Sequence, residues 1–301
     1  MRAAAFSEFG GPEVLRLMEL PDPEAGPGQV RIRVRAAGVQ PIDCAVRRGF
    51  QQPGTTITFP AVPGNEFAGV IDQVGEGVSN LVVGAEVLGF GRLNASAELL
   101  AVAADQVVAK PSRMPWPIAG GFTAGAQTAH IALTELAIGP DDTLLVHGAA
   151  GAVGTVAVQL GVRAGARVIG TASESNQDYV RSLGATPLVY GADLVERVRA
   201  LGGVTTALDG AGGAALAASL ELVADRSRIL TLVEHERASE LGIRVTPNAR
   251  SAARLAGLVA LYDAGELAVH LRATFPLEQA ADAHRLVETG HGAGKVVLTI
   301  D

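Results

Sequence analysis

Residues 143–161 read TLLVHGAAGAVGTVAVQLG, a short apolar run that breaks into a Gly/Ala-rich turn and resumes as an apolar-periodic segment. Strand, glycine turn and helix in that order form a cradle for a dinucleotide. Small residues let the backbone approach a pyrophosphate, and the new helix aims free N–H groups and its positive dipole end at it. The spacing is Ala149-x-Gly151-x-x-Gly154, preceded by Gly148, with alanine in the first slot of the usual G-x-G-x-x-G. Context decides whether such a motif counts. Leu144, Leu145 and Val146 read as a buried parallel strand, and Val153, Val156 and Leu160 fall on one helix face. A second strand over 167–171 completes a βαβ unit. The cofactor-binding set is therefore Gly148, Ala149, Ala150, Gly151, Ala152, Val153 and Gly154; a turn that serves packing only is the alternative.

The 301 residues are 48% apolar and 18% charged, which suits a globular chain of two domains. A net charge of −7 argues against nucleic acid as a partner, because phosphate contacts need a basic face. One cysteine excludes an intrachain disulfide framework and a multi-cysteine zinc site, as expected of a reducing compartment. The N-terminus carries Glu8 and lacks the apolar core of a signal peptide. Residues 143–162 lack charge, but the glycine cluster and His147 read as a buried βα unit rather than a membrane span. The expectation is a cytoplasmic protein that does not enter a membrane.

Over residues 1–113, short strand-like pieces (30–34, 69–74, 98–102) alternate with Gly/Pro turns, a pattern that predicts a partly open β-barrel. From 114 to 245, strands expected at 143–147, 167–171, 187–190, 205–209 and 228–233 alternate with helices at 152–164, 175–183, 192–201 and 213–223. That alternation predicts a doubly wound parallel sheet. The tail, 246–301, reads helix (249–263), strand (268–273), helix (277–288) and a last strand at 294–299.

Several local patterns occur in order: GPEVL (11–15), AAGVQPIDCAVRRG (36–49), PGNEFAGVIDQVGEGV (63–78), the glycine turn, LGA (183–185) and FPLEQAADAHRLVETGHGAGKVVL (275–298). Together they resemble the medium-chain dehydrogenase/reductase superfamily, and within it the zinc-independent, NADPH-dependent quinone oxidoreductase branch. The resemblance spans nearly the whole chain. It implies an α/β fold in which a GroES-like catalytic domain (1–113, completed by 246–301) encloses a Rossmann domain (114–245), with the active site in the cleft between them. It also implies a homodimer joined through an edge strand of the Rossmann sheet.

Where zinc alcohol dehydrogenases of this superfamily carry a cysteine and a histidine, this chain has Gln40 and Asn65, neither a good zinc ligand, and Cys44 is displaced from the slot. No metal site is expected. What remains is hydride transfer from a nicotinamide to a quinone or an α,β-unsaturated carbonyl. The second strand ends Thr171-Ala172-Ser173 without the carboxylate that binds an NAD ribose, and Ser173 can bond a 2′-phosphate. NADPH is thus favoured over NADH, although Glu174 and Ser175 stand where relatives often have Arg or Lys. The resemblance adds Tyr190 and Lys295 to the cofactor set. Tyr190 is otherwise a packing residue.

The catalytic candidates are Gln40, which either bonds a substrate carbonyl or nicotinamide ribose or caps local backbone, and Thr128, which the resemblance places near the nicotinamide amide and which otherwise bonds its own helix. Phe50 stands where relatives present tyrosine and is expected to form pocket wall with Asn65. No tyrosine of the N-terminal part can replace it, so water or bulk solvent would deliver the proton. Asp43 and Arg47 read as a salt-bridged turn, His147 as packing, and His284 and His291 as solvated or capping. Two other readings compete with the quinone or enone reductase. One is a dedicated ene-reductase for a polyketide-like intermediate, which the polar stretch 234–250 leaves room for. The other is an NADPH-binding protein of low turnover.

Overall fold

The computed structural model describes residues 1–51, 56–290 and 292–301. A small antiparallel pair, β1 (Arg2–Ala5) and β2 (Arg16–Glu19), precedes the long strand β3 (Gln29–Val39). In β3 the apolar Val30, Ile32 and Val34 alternate inward, as a strand with one buried face requires. The residue Gln40 follows directly as N-cap of α1 (Pro41–Arg47), whose proline supplies a preset φ at the helix start. Next come β4 (Glu66–Val74), β5 (Glu86–Phe90), β6 (Leu99–Ala103) and β7 (Val107–Ala109). β3 bulges between Arg31 and Ile32 and again between Val34 and Ala36, and it pairs with both β4 and β6.

Two helices, α2 (Trp116–Gly120) and α3 (Thr123–Glu135), lead into the second sheet. Its strands are β8 (Thr143–His147), β9 (Arg167–Ala172), β10 (Thr186–Val189), β11 (Thr206–Asp209), β12 (Ile229–Thr231) and β13 (Arg244–Val245). Between them run α4 (Ala152–Arg163), α5 (Gln177–Ser182), α6 (Leu194–Ala200), α7 (Ala214–Leu222) and α8 (Ala238–Leu241). All pairings are parallel and the spatial order is β10-β9-β8-β11-β12-β13. The chain starts in the middle, winds one way and then the other. The crevice between β8 and β11 is the switch point where such sheets take ligands. Five of these strands lie where the apolar runs predict them. β13 was not expected in the polar stretch 234–250: its two residues are exposed at the sheet edge, so no apolar periodicity marks them.

The tail adds α9 (Ala252–Asp263), β14 (Leu271–Pro276), α10 (Ala280–Glu288) and β15 (Lys295–Thr299). Leu255, Leu258 and Val259 of α9 join the core that holds Phe122, the N-cap of α3, Ala126 of α3, Leu144 of β8, and Ala68 and Leu88 of the barrel. The two units therefore share one continuous apolar core. β14 and β15 complete the seven-stranded barrel sheet, β15 running antiparallel to β3 with Val296 opposite Val39. This register sets Lys295 beside the exit of β3, where Gln40 lies.

Candidate active site

The glycine turn behaves as its spacing demands. Gly148 takes a φ of +72°, a left-handed conformation that favours glycine. A Cβ on Gly154 would run into the Gly148 carbonyl oxygen and lie 2.7 Å from Ala149 Cα, so only glycine lets α4 rest against the turn. Ala149 N–H donates to the Thr171 carbonyl at 3.0 Å and Gly151 N–H to the Gly148 carbonyl at 3.0 Å. The N–H groups of Ala152, Val153 and Gly154 open a helix and have no acceptor one turn earlier. Together with the positive end of the helix dipole, they are the kind of arrangement that suits an anion. The tail reaches the same turn: Gly294 N–H donates to the Ala150 carbonyl at 2.8 Å.

Beneath the turn lies a row of buried polar residues in register across four strands: Thr171, His147, Asp209 and Thr231. His147 Nδ1 is 3.1 Å from Thr171 Oγ1 and Nε2 is 3.0 Å from Ser219 Oγ. Burial pushes His147 down to about 4, against the opposing field of Asp209. The Asp209 carboxylate accepts from Gly212 N–H at 2.8 Å, Ala211 N–H at 3.0 Å and Thr231 Oγ1 at 2.8 Å, and so shapes the loop after β11. Sequence reasoning missed this row. Its signal was the acid followed by glycines in Asp209-Gly-Ala-Gly-Gly213. The row also corrects Thr171: its hydroxyl is buried and engaged with His147, so its part in the cradle is the carbonyl that anchors Ala149.

Just past β9, Ser173 Oγ lies 3.0 Å from Ser175 Oγ and accepts from Asn176 Nδ2 at 3.0 Å. Tyr190 is 54% exposed. Lys295 is corrected. Its ammonium is buried 2.6 Å from Glu66 Oε1, because a buried cation needs a buried carboxylate, and that commits it to the barrel side of the crevice rather than to a cofactor phosphate.

Glu66 is the centre of the barrel side. Gln40 Nε2 donates to its Oε1 at 2.5 Å and Ala124 N–H to its Oε2 at 2.6 Å. A Cβ on Gly38 would lie 2.7 Å from Lys295 Cε, so the absent side chain makes room for the pair. Asp43 accepts from the N–H groups of Gln40 at 2.8 Å and Gly64 at 3.2 Å. Burial raises its carboxyl to about 7, with Lys295 and the two N–H donors opposing. Asp43 does not pair with Arg47. Arg47, wholly buried, bonds Glu288 at 2.5 Å and lies 3.3 Å from His284 Nδ1. His284 is likewise buried rather than solvated; burial, then Arg47, pushes it down to about 3. His291 lies outside the described residues.

Among the described residues, four buried atoms near this cluster have no hydrogen-bond partner: Asn65 Oδ1, Thr123 Oγ1, Gln127 Nε2 and Lys295 Nζ, the last held by its ion pair with Glu66. Thr128 is half-buried on α3, and Phe50 is 46% exposed just past α1. The structure thus gathers Gln40 and Lys295 around Glu66, which sequence reasoning had left out.

Residues 26–127 match the alcohol dehydrogenase GroES-like domain and residues 183–298 match a zinc-binding dehydrogenase domain. Zinc does not suit the residues present: Gln40 and Asn65 bring amides, and among the described residues no group of three or more His, Cys, Asp or Glu is placed to hold a metal. The quinone oxidoreductase of Lama guanicoe is 31% identical over 100% of this chain and 98% of its own length. The human synaptic vesicle membrane protein VAT-1 homolog is 28% identical over 99% of this chain and 86% of its own. The chloroplastic NADPH-dependent alkenal/one oxidoreductase of Arabidopsis thaliana is 29% identical over 99% and 79%. The Coxiella burnetii quinone oxidoreductase structure superposes with a TM-score of 0.91 at 28% identity, covering 100% and 99% of the two chains. A mycobacterial structure complexed with NADPH superposes at 0.87 and 29% identity, covering 99% and 100%. Full-length similarity of this order, on a barrel and a 3-2-1-4-5-6 sheet that meet at a glycine turn, shows that the chain belongs to the medium-chain dehydrogenase/reductase superfamily and groups there with quinone oxidoreductases.

Proposed function

We propose that the protein is a zinc-independent, NADPH-dependent reductase of quinones or α,β-unsaturated carbonyls. The observation that carries this reading is the turn at 148–154, where backbone packs too closely for a Cβ at Gly154 and leaves three helix amides facing the switch point. The relatives described as quinone and alkenal/one oxidoreductases support the acceptor class, and the mycobacterial NADPH complex supports the cofactor.

The amides of Ala152, Val153 and Gly154 would hold the pyrophosphate, with Ser173 and Asn176 at the 2′-phosphate and the exposed Tyr190 beside it. The bound dihydronicotinamide supplies the hydride. Gln40 is turned toward Glu66, so its carbonyl oxygen rather than its NH2 group is free to face a nicotinamide ribose or a substrate donor. Asn65 Oδ1 is a second acceptor without a partner, and Thr128 stands on the helix that floors the crevice. Phe50 forms part of the wall. It has no exchangeable proton, so solvent completes the reaction. A homodimer would form through an edge strand of the parallel sheet, and β13 is one of its two edges, β10 being the other.

NADPH oxidation followed at 340 nm against benzoquinones, cyclic enones and linear alkenals tests the proposal. Turnover with at least one class, unchanged after chelator dialysis, is the expected result. No acceptor-dependent oxidation across the panel, despite tight NADPH binding, would leave the low-turnover reading standing instead. Turnover confined to large polar enones would point to the biosynthetic ene-reductase, which the polar residues 234–250 beside the crevice favour.

A further inference from the structure

The segment after β9 that is proposed for the 2′-phosphate offers hydroxyl and amide groups but no positive charge, because Glu174 and Ser175 follow Ser173. A cation reaches the same edge from another segment. Val189 of β10 lies opposite Ala172 of β9, so Tyr190 and Ser173 leave the sheet side by side, on strands about 5 Å apart. Arg197, in the first turn of α6, points back to this edge. Its Nη2 donates to the Val189 carbonyl at 2.6 Å and to Asp193 Oδ1 at 2.9 Å. A Cβ on Gly191, the residue after Tyr190, would lie 3.7 Å from the same Nη2. The guanidinium is only partly engaged. Nε is buried without a partner, and among the described residues Nη1 makes no hydrogen bond. The side chain is 33% exposed, so a ligand can reach it. Its one carboxylate partner, Asp193, is 63% exposed, and an ion pair so open to water is weak enough to yield to a stronger anion.

We propose that Arg197 sets the preference for NADPH over NADH by supplying the cation for the adenosine 2′-phosphate, and that Asp193 tempers this preference by competing for the same guanidinium. The assignment rests on the NADPH-dependent reading given above. A phosphate monoester carries between one and two negative charges at neutral pH and three strong acceptor oxygens. The ribose of NADH presents a neutral hydroxyl there, which gives a guanidinium no charge to neutralise. Arginine suits the phosphate because it stays protonated and forms charge-assisted hydrogen bonds. Ser173 and Asn176 add neutral donors from the neighbouring strand end. A phosphate that draws Arg197 from Asp193 must also lie near that carboxylate, so the preference is smaller than an unpaired arginine would give. A residue that only tethered the loop at 189–193 would serve both cofactors alike.

Dissociation constants measured on the full chain test this, with NADPH and NADH followed by fluorescence and the fragments 2′,5′-ADP and 5′-AMP by competition. For Arg197→Gln we expect NADPH and 2′,5′-ADP to bind about tenfold more weakly, with NADH and 5′-AMP changed by less than about twofold. Arg197→Lys should recover part of the loss. Asp193→Asn should tighten NADPH by about two- to threefold and leave NADH as it was. Equal losses for all four ligands, NADPH affinity untouched by Arg197→Gln, or Asp193→Asn weakening NADPH as Arg197→Gln does would each overturn the assignment. If Arg197→Gln fails to fold, Arg197→Lys and Asp193→Asn carry the same comparison. A protein whose NADPH affinity depends on Arg197 but which reduces no quinone or enone would sink the reductase reading alone. Turnover of acceptors with an NADPH-to-NADH ratio indifferent to residue 197 would sink this assignment alone.

Discussion

The two sides of the crevice are built from opposite materials. The side proposed for the cofactor is backbone: small residues at 148–154, a tight turn and a helix start, with side chains such as Thr171 and His147 buried behind it. The side proposed for the acceptor is side chains: Gln40, Asp43, Glu66 and Lys295, drawn from the cap and first turn of α1, from β4 and from β15. A backbone site depends on the absence of atoms, so adding one breaks it. A side-chain site depends on charge balance, so removing one member leaves another exposed in a low dielectric.

That contrast orders the expected effects. Lys295→Ala should cost most, about 3–5 kcal/mol by denaturant unfolding, because Glu66 would remain buried without its cation. Adding Glu66→Gln should recover much of it. A cost under about 1 kcal/mol would mean the pair does not hold the barrel side together.

Gly154→Ala should cost about 1–3 kcal/mol by overpacking, with weaker NADPH binding by fluorescence titration and little change at the acceptor side. If the variant binds NADPH as the parent does, the turn is packing only.

Acid should separate the sides further. His147 (about 4) and His284 (about 3) are depressed from 6.5, so their stabilisation is present above 6.5 and is lost as pH falls toward those values. Asp43 is raised from 3.8 to about 7, so its contribution is full below 3.8 and is lost as pH rises through 7; it opposes the histidines in acid. Between about pH 6.5 and 4 the unfolded chain holds a net one extra proton, and stability should fall by about 1.4 kcal/mol per pH unit of acidification. His284→Gln should flatten that slope, which urea titrations at successive pH values would show.

The smallest effect is expected at Ser173→Asp, where a carboxylate beside the 2′-phosphate should weaken NADPH by about tenfold, or about 1.4 kcal/mol, and spare NADH. Equal loss of both cofactors would place the ribose phosphate elsewhere.

How far each side could be read in advance follows from the same difference. The turn at 148–154 is contiguous, so spacing alone revealed it, and five of the six parallel strands followed from apolar runs. Lys295 was assigned to the cofactor, whereas the structure pairs it with Glu66, a partner 229 positions away that only the register of β15 and β4 on β3 brings to it. Asp43 and Arg47 share one short helix and were read as a pair. Burial sent one to backbone amides and the other to α10.

The amino-acid sequence by itself determined the α/β plan of a GroES-like barrel with a parallel sheet, the glycine turn and the lack of zinc-ligating residue types at 40 and 65, since each is written in neighbouring residues or in the residue types themselves. The tertiary structure alone decided which charges neutralise one another and which donors are left over. Pairing in a buried site is set by which distant segments are folded together, and Glu66 meets Lys295 only because β4 and β15 both pair with β3.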